Sequence, residues 1–100
     1  MRAVWYYLVS PVKIVRANES AFTYASETEL AIGSLVAVEV GRQIMAGVVM
    51  MPVEQPTFAV KPIQRTLSPA PLPLPLVQTA QWMSQYYATH LATVWQTVLP

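Results

Sequence analysis

Three short clusters hold the residue types from which a site for one nucleotide can be assembled: Phe22-Thr23-Tyr24, Gly41-Arg42 and Lys61-Pro62. Aromatic rings stack on bases, a hydroxyl and the amides of a glycine turn supply hydrogen bonds, and a lysine meets one phosphate. Each cluster also has a plainer use. Alternate residues of a strand share a face, so Phe22 and Tyr24 fit a core as well as a stacking surface. Lys61 by itself fits a solvated charge.

The remaining residues argue against catalysis by this chain. It has one histidine, His90, and neither Cys nor Asp, whereas acid–base or nucleophilic work generally needs His, Cys or paired carboxylates in a pocket. A metal site needs three or four converging ligands, which this inventory does not supply. His90 reads as a helix-terminal side chain, and Glu27 and Glu29, two apart in a turn-rich stretch, as solvated surface. Gly33, Gly41 and Gly47 match neither a dinucleotide fingerprint nor a P-loop, and no G-K-[ST] occurs. No catalytic residue, metal or cofactor is therefore expected, and no ATP hydrolysis. The lack of Cys excludes disulfides and fits a reducing, cytoplasmic setting.

One hundred residues, 54% of them hydrophobic, suffice for one domain with one core. Only 11% are charged, against about 25% in an ordinary soluble domain. A surface so short of charge predicts that part of it faces another domain or chain. The net charge of +1 provides no field for gripping a long nucleic acid or an anionic membrane, so an anionic ligand must be held locally. From Thr66 to Pro100 there is no charged side chain, yet prolines, glutamines and His90 interrupt every apolar run short of the roughly 18 residues a membrane helix needs. The opening Met1-Arg2 and Ala3 to Val9 imitate a signal peptide without its cleavage site. The expectation is a soluble chain with no membrane partner.

Up to Thr66 the apolar residues fall in short, β-branched and aromatic runs: Ala3 to Val9, Ala21 to Tyr24, Leu35 to Val40, Ile44 to Val53 and Phe58 to Ile63. Asn18-Glu19-Ser20 reads as a turn. Gly41-Arg42 reads as a two-residue hairpin link, with Gly supplying the positive φ. Gly47 inside a strand marks a bulge or a close backbone approach. Ser68 to Leu76 reads SPAPLPLPL, an extended polyproline-like connector. Its prolines stand two apart, not at the P-x-x-P spacing. Beyond it Leu76, Ala80, Met83, Tyr87 and Leu91 form a helical stripe, and a second helical piece is expected over Ala92 to Val98. The predicted architecture is α+β: a small curled antiparallel sheet or barrel over residues 1–66, a Pro-rich connector over 67–76, and a helical segment of the same domain over 77–100. A helix is expected near 76–90. Its Gln- and Trp-bearing surface from Gln78 to Trp95 is expected to be partly covered in a complete protein and to drive weak self-association without that cover.

The order of Phe22-Thr23-Tyr24, Ile32-Gly33, Val36 to Val38, Gly41-Arg42, Gly47-Val48-Val49, Lys61-Pro62-Ile63, Tyr86-Tyr87, Val94 and Leu99-Pro100 resembles the N-terminal domain of the primosomal protein N' (PriA) family of replication-restart helicases. The correspondence runs nearly end to end. It implies a DNA-binding module that receives the 3' end of a nascent leading strand at a stalled fork, with ATP hydrolysis and unwinding in further domains of a longer chain. Phe22, Thr23 and Tyr24 fall on the family's Phe-Asp-Tyr, Gly41 on the glycine of its pocket turn and Lys61 on its pocket lysine. The implied DNA-binding set is thus Phe22, Thr23, Tyr24, Gly41, Arg42 and Lys61, and the implied partners are a DNA 3' end and the remaining helicase domains.

Three positions depart from the family pattern. Thr23 replaces the acid expected to contact the terminal nucleotide, Glu39-Val40 stands where Pro-Phe is common, and His90-Leu91-Ala92-Thr93 replaces a Pro-Leu-Gly-Glu-like stretch. Without the resemblance, the same residues fit a protein-interaction β-barrel with no nucleic-acid role.

Overall fold

The β-branched and aromatic runs form strands, and the computed structural model describes them within residues 3–12, 21–67, 70–86 and 95. The strands are β1 (Trp5–Pro11), β2 (Phe22–Ser26), β3 (Leu35–Val40), β4 (Gln43–Val53), β5 (Lys61–Pro62) and β6 (Arg65–Thr66), followed by helix α1 (Leu74–Tyr86). They make one sheet in the order β5-β2-β1-β4-β3-β6. The expected run from Phe58 to Ile63 is not one strand. Phe58 lies in a bend, and pairing is confined to the two short pieces β5 and β6. Pro62 has no N–H for a ladder, which keeps this segment at the sheet's edges.

The segment that contains β5 and β6 explains the curl. Its first half bonds to β2, through Ile63 N to Ala25 O at 2.8 Å, and its second half to β3, through Gln64 N to Ala37 O at 2.8 Å and Leu67 N to Leu35 O at 2.7 Å. One stretch of chain thus bridges both edges. Because β2 and β3 run in opposite directions, a single segment must be parallel to one and antiparallel to the other. It is parallel to β2 and antiparallel to β3. The curled sheet is therefore mixed, not antiparallel throughout.

Curling gives the sheet two buried faces. Tyr7, Val9, Tyr24, Val36, Val38 and Val49 pack on the concave face, and Val48, Met50, Val77, Ala80 and Trp95 on the other, where α1 lies. Alternation along β4 sends Val49 inward and Val48 and Met50 outward. Leu8 pairs with Met51 and Val9 with Val49, so Met50 is the extra residue of a bulge. Gly47 is a close approach instead: a Cβ there would meet Val9 Cγ1 at 2.7 Å.

Gly41-Arg42 is the hairpin link, with Val40 paired to Gln43 and Gly41 at a φ of 61°. Gly33, at a φ of 93°, accepts a hydrogen bond of 2.8 Å from Leu72 N and so ties the proline-rich stretch to the sheet. The helix begins at Leu74, inside the stretch expected to be connector to residue 76. Pro73 O accepts the first bonds, from Leu76 N and Val77 N, and Pro75 falls in the first turn, where an N–H has no helical partner to lose. Among the described residues no helix is long and apolar enough to cross a membrane. The turn at 18–20, Ser68-Pro69, Tyr87, His90 and Leu91 lie outside the described residues. So does the expected helical piece at 92–98, apart from Trp95.

Candidate nucleic-acid interface

β2 begins with Phe22, β3 ends in the Gly41 turn, and β5 begins with Lys61, and these three points meet at one side of the curled sheet. Between them lies a groove of about 360 Å³ lined by Phe22, Thr23, Tyr24, Gly41 and Lys61 together with Glu39 and Phe58. Arg42 is exposed on the adjoining turn and does not line the groove. Register explains the meeting of distant residues: Tyr24 pairs with Lys61 across β2 and β5.

Tyr24 is only 4% exposed and its ring belongs to the concave core. It therefore offers no face for base stacking. Its hydroxyl donates a 2.8 Å hydrogen bond to Glu39 O, which fixes the end of β3 against β2. Burial, and secondarily the Glu39 carboxylate, raise the Tyr24 pKa above its ordinary value. Both effects disfavour a phenolate, so the hydroxyl stays a donor. Phe22 is half-buried and packs on the same cluster. Thr23 is half-buried opposite Leu8.

Lys61 Nζ stands 3.4 Å from Glu39 Oε1 and donates to Gly41 O at 3.2 Å. The lysine is thus tethered to the turn, and its charge is partly offset by a carboxylate. An exposed pair of this kind adds little stability, but it fixes where a cation and an acceptor sit. The described lining of the groove presents binding groups: a ring, a hydroxyl, a cation and an open turn.

Two lining residues escaped the sequence reading. Phe58, 63% exposed, was expected inside a strand, whereas it sits in the bend that leads to β5 with its ring at the groove. The turn-like Gln55-Pro56-Thr57 just before it was the available signal. Glu39 was read as a strand residue and a departure from the family pattern. A larger groove of about 520 Å³ lies beyond Pro62, beside Ser26, Thr28 and Arg65, and no aromatic is among the described residues that line it. Of these two grooves, the described lining of the smaller one combines an exposed ring, a cation and a hydroxyl.

The family described as 3'DNA-binding domain (3'BD) of PriA matches residues 9–100, a span that takes in every residue of the groove except Leu8. The chain is also similar to the replication restart protein PriA of Synechocystis sp., at 32% identity over 90 residues. That alignment covers 83% of this chain and 11% of the relative, so the chain spans a small part of the relative's length. By the extent of the family match, this chain belongs to the family of PriA 3' DNA-binding domains.

Proposed function

We propose that this chain binds the 3' end of single-stranded DNA in the groove between β2, the Gly41 turn and the approach to β5, as the end-receiving module of a replication-restart helicase at stalled forks. One observation carries the reading: residues far apart in sequence, Phe22, Thr23, Gly41 and Lys61, line one groove with the exposed ring of Phe58. Family membership supports it independently.

In this reading Phe58 and the half-buried Phe22 stack on the terminal base, and Thr23 supplies a hydroxyl. Lys61 meets a phosphate with the donor not engaged by Glu39 and Gly41. Tyr24 braces the groove floor. A Cβ at Gly41 would have nothing within 4 Å, so the turn leaves room for a close ligand. Arg42 reaches a flanking phosphate from the next turn position. ATP hydrolysis and unwinding belong to other domains of the longer protein, and this chain contributes binding without catalysis.

Those domains also cover part of the charge-poor surface on α1, where Trp82 is 54% exposed. Trp95, expected in that surface, is instead fully buried. Without such cover the chain self-associates weakly, and sedimentation showing a clean monomer at high concentration would exclude this.

Fluorescence anisotropy of short oligonucleotides with free and blocked 3' ends tests the main reading. Tighter binding to the free end is expected. Equal weak binding, or none, would favour a protein-interaction domain.

A further inference from the structure

Among the described residues that line the groove, Glu39 carries the only carboxylate and Lys61 the only cation. Their side chains are 38% and 47% exposed, so an incoming strand end meets both. Lys61 has spent two of its three donors, on Glu39 Oε1 and Gly41 O. Glu39 is held in place from behind, since its carbonyl accepts the Tyr24 hydroxyl at 2.8 Å. An ionised carboxylate only accepts hydrogen bonds, and the lysine engages Oε1 alone. The carboxylate thus presents acceptor capacity, and negative charge, to whatever enters.

We propose that Glu39 is a specificity-determining residue, which selects a hydrogen-bond donor at the strand terminus and rejects a terminal phosphate. The proposal rests on the DNA-end reading above. A terminal phosphate carries between one and two negative charges, about 1.5 to 2 at neutral pH. Even on the remaining donor of Lys61 it stands beside the Glu39 carboxylate with more charge than a phosphodiester carries, a juxtaposition of like charges that interfaces exclude strongly. A singly charged phosphodiester one step inward uses the lysine's remaining donor and leaves the Glu39 pair intact. A donor at the terminus meets the carboxylate without repulsion. Two parts of the ligand carry that chemistry: the 3' hydroxyl and the amino group of a terminal cytosine or adenine.

The test is anisotropy of the wild-type chain, Glu39→Gln and Glu39→Asp with oligonucleotides ending in a 3' hydroxyl, a 3' phosphate or a dideoxy sugar, each with cytosine or thymine last. The wild type is expected to bind the hydroxyl end about tenfold more tightly than the phosphate end, and E39Q about twofold or less. E39D keeps the charge and keeps most of the rejection, which separates charge from any structural loss. If the hydroxyl is the donor read, removing it weakens the wild type more than E39Q, whose neutral amide oxygen is the weaker acceptor. If the base amine is read, the gap between cytosine and thymine closes in E39Q instead.

Full rejection of the phosphate end by E39Q would overturn the proposal while leaving DNA-end binding intact. An equal gain by E39Q for every end would overturn it too, since that is general attraction without selection. Failure of the wild type to bind any end would sink the DNA reading and the Glu39 role together.

Discussion

The indole of Trp95 donates a 3.0 Å hydrogen bond to the hydroxyl of Ser10, and both residues are fully buried. Trp95 packs with Val48, Met50, Val77 and Ala80, so this bond fastens Trp95 to the convex side of β1. Replacing Ser10 with Ala removes the acceptor and leaves a buried indole N–H unpaired. The expected loss is about 1–3 kcal/mol, read by urea denaturation. A loss below about 0.5 kcal/mol would mean that the indole finds another partner.

Gly33 and Gly41 both have positive φ, yet their surroundings differ. A Cβ at Gly41 points into open space, whereas one at Gly33 collides with the backbone carbonyl of Leu72. Gly41→Ala should therefore cost only the conformational term, about 1–2 kcal/mol. Gly33→Ala adds displacement of the proline-rich stretch and should cost at least about 1 kcal/mol more. Denaturation midpoints of the two variants check the order, and equal losses would contradict it.

Tyr24 predicts an alkaline effect with a definite sign. Its folded pKa is raised by burial and by Glu39, so above the ordinary tyrosine value the unfolded chain releases a proton that the folded chain retains. Stability from this group is complete below that value and declines as pH rises past it. Tyr24→Phe lacks the titration and also lacks the bond to Glu39 O, so at about pH 8 it should be less stable than wild type by about 1 kcal/mol. The gap should narrow at about pH 11, where only the wild type has lost this contribution. A gap that widens with pH would refute the assignment.

Phe58 is exposed, so Phe58→Ala should leave thermal stability within about 0.5 kcal/mol of wild type. If the ring stacks on a terminal base, the same change should weaken oligonucleotide binding by about 1–3 kcal/mol. Anisotropy alongside a thermal melt separates the two effects. Unchanged affinity would remove Phe58 from the site.

Salt dependence measures how few phosphates the groove holds. One or two contacts predict a slope of log K against log salt near 1 in magnitude. Lys61→Ala should lower that slope by about 0.7 and weaken all terminal bases alike, because a phosphate contact positions without reading sequence. A steep slope with no preference for a free 3' hydroxyl would leave only generic contact with DNA.

The four long strands and the hairpin between β3 and β4 were legible in the sequence because they rest on local chemistry, whereas the run from Phe58 to Ile63 was not. Leu35 to Val40 forms β3 with the predicted bounds, since alternating valines between two glycines allow little else. Gly41-Arg42 closes its hairpin because a two-residue link needs positive φ. The helix was visible from its period, although its start was not. Pro75 argues against helix anywhere but in the first turn, and the first turn is where it falls, with Pro73 just ahead of Leu74. Of the groove, residue types alone single out Phe22, Thr23, Gly41 and Lys61 as candidates, and the family resemblance joins them into one implied site.

Tertiary structure decided the rest, because each remaining feature depends on which residues meet across the curl. Phe22 and Tyr24 share a strand face, yet the closing segment buries Tyr24 and leaves Phe22 at the groove's edge. Phe58 joins the site because the chain must bend before β5 can pair with β2. The mixed sheet follows from one segment serving two opposed edges. Glu39 becomes the partner of Lys61 only when β3 and β5 converge. Hydrophobic period and turn chemistry are properties of neighbours in sequence, and pairing across 22 residues, as between Glu39 and Lys61, is a property of the closed fold alone.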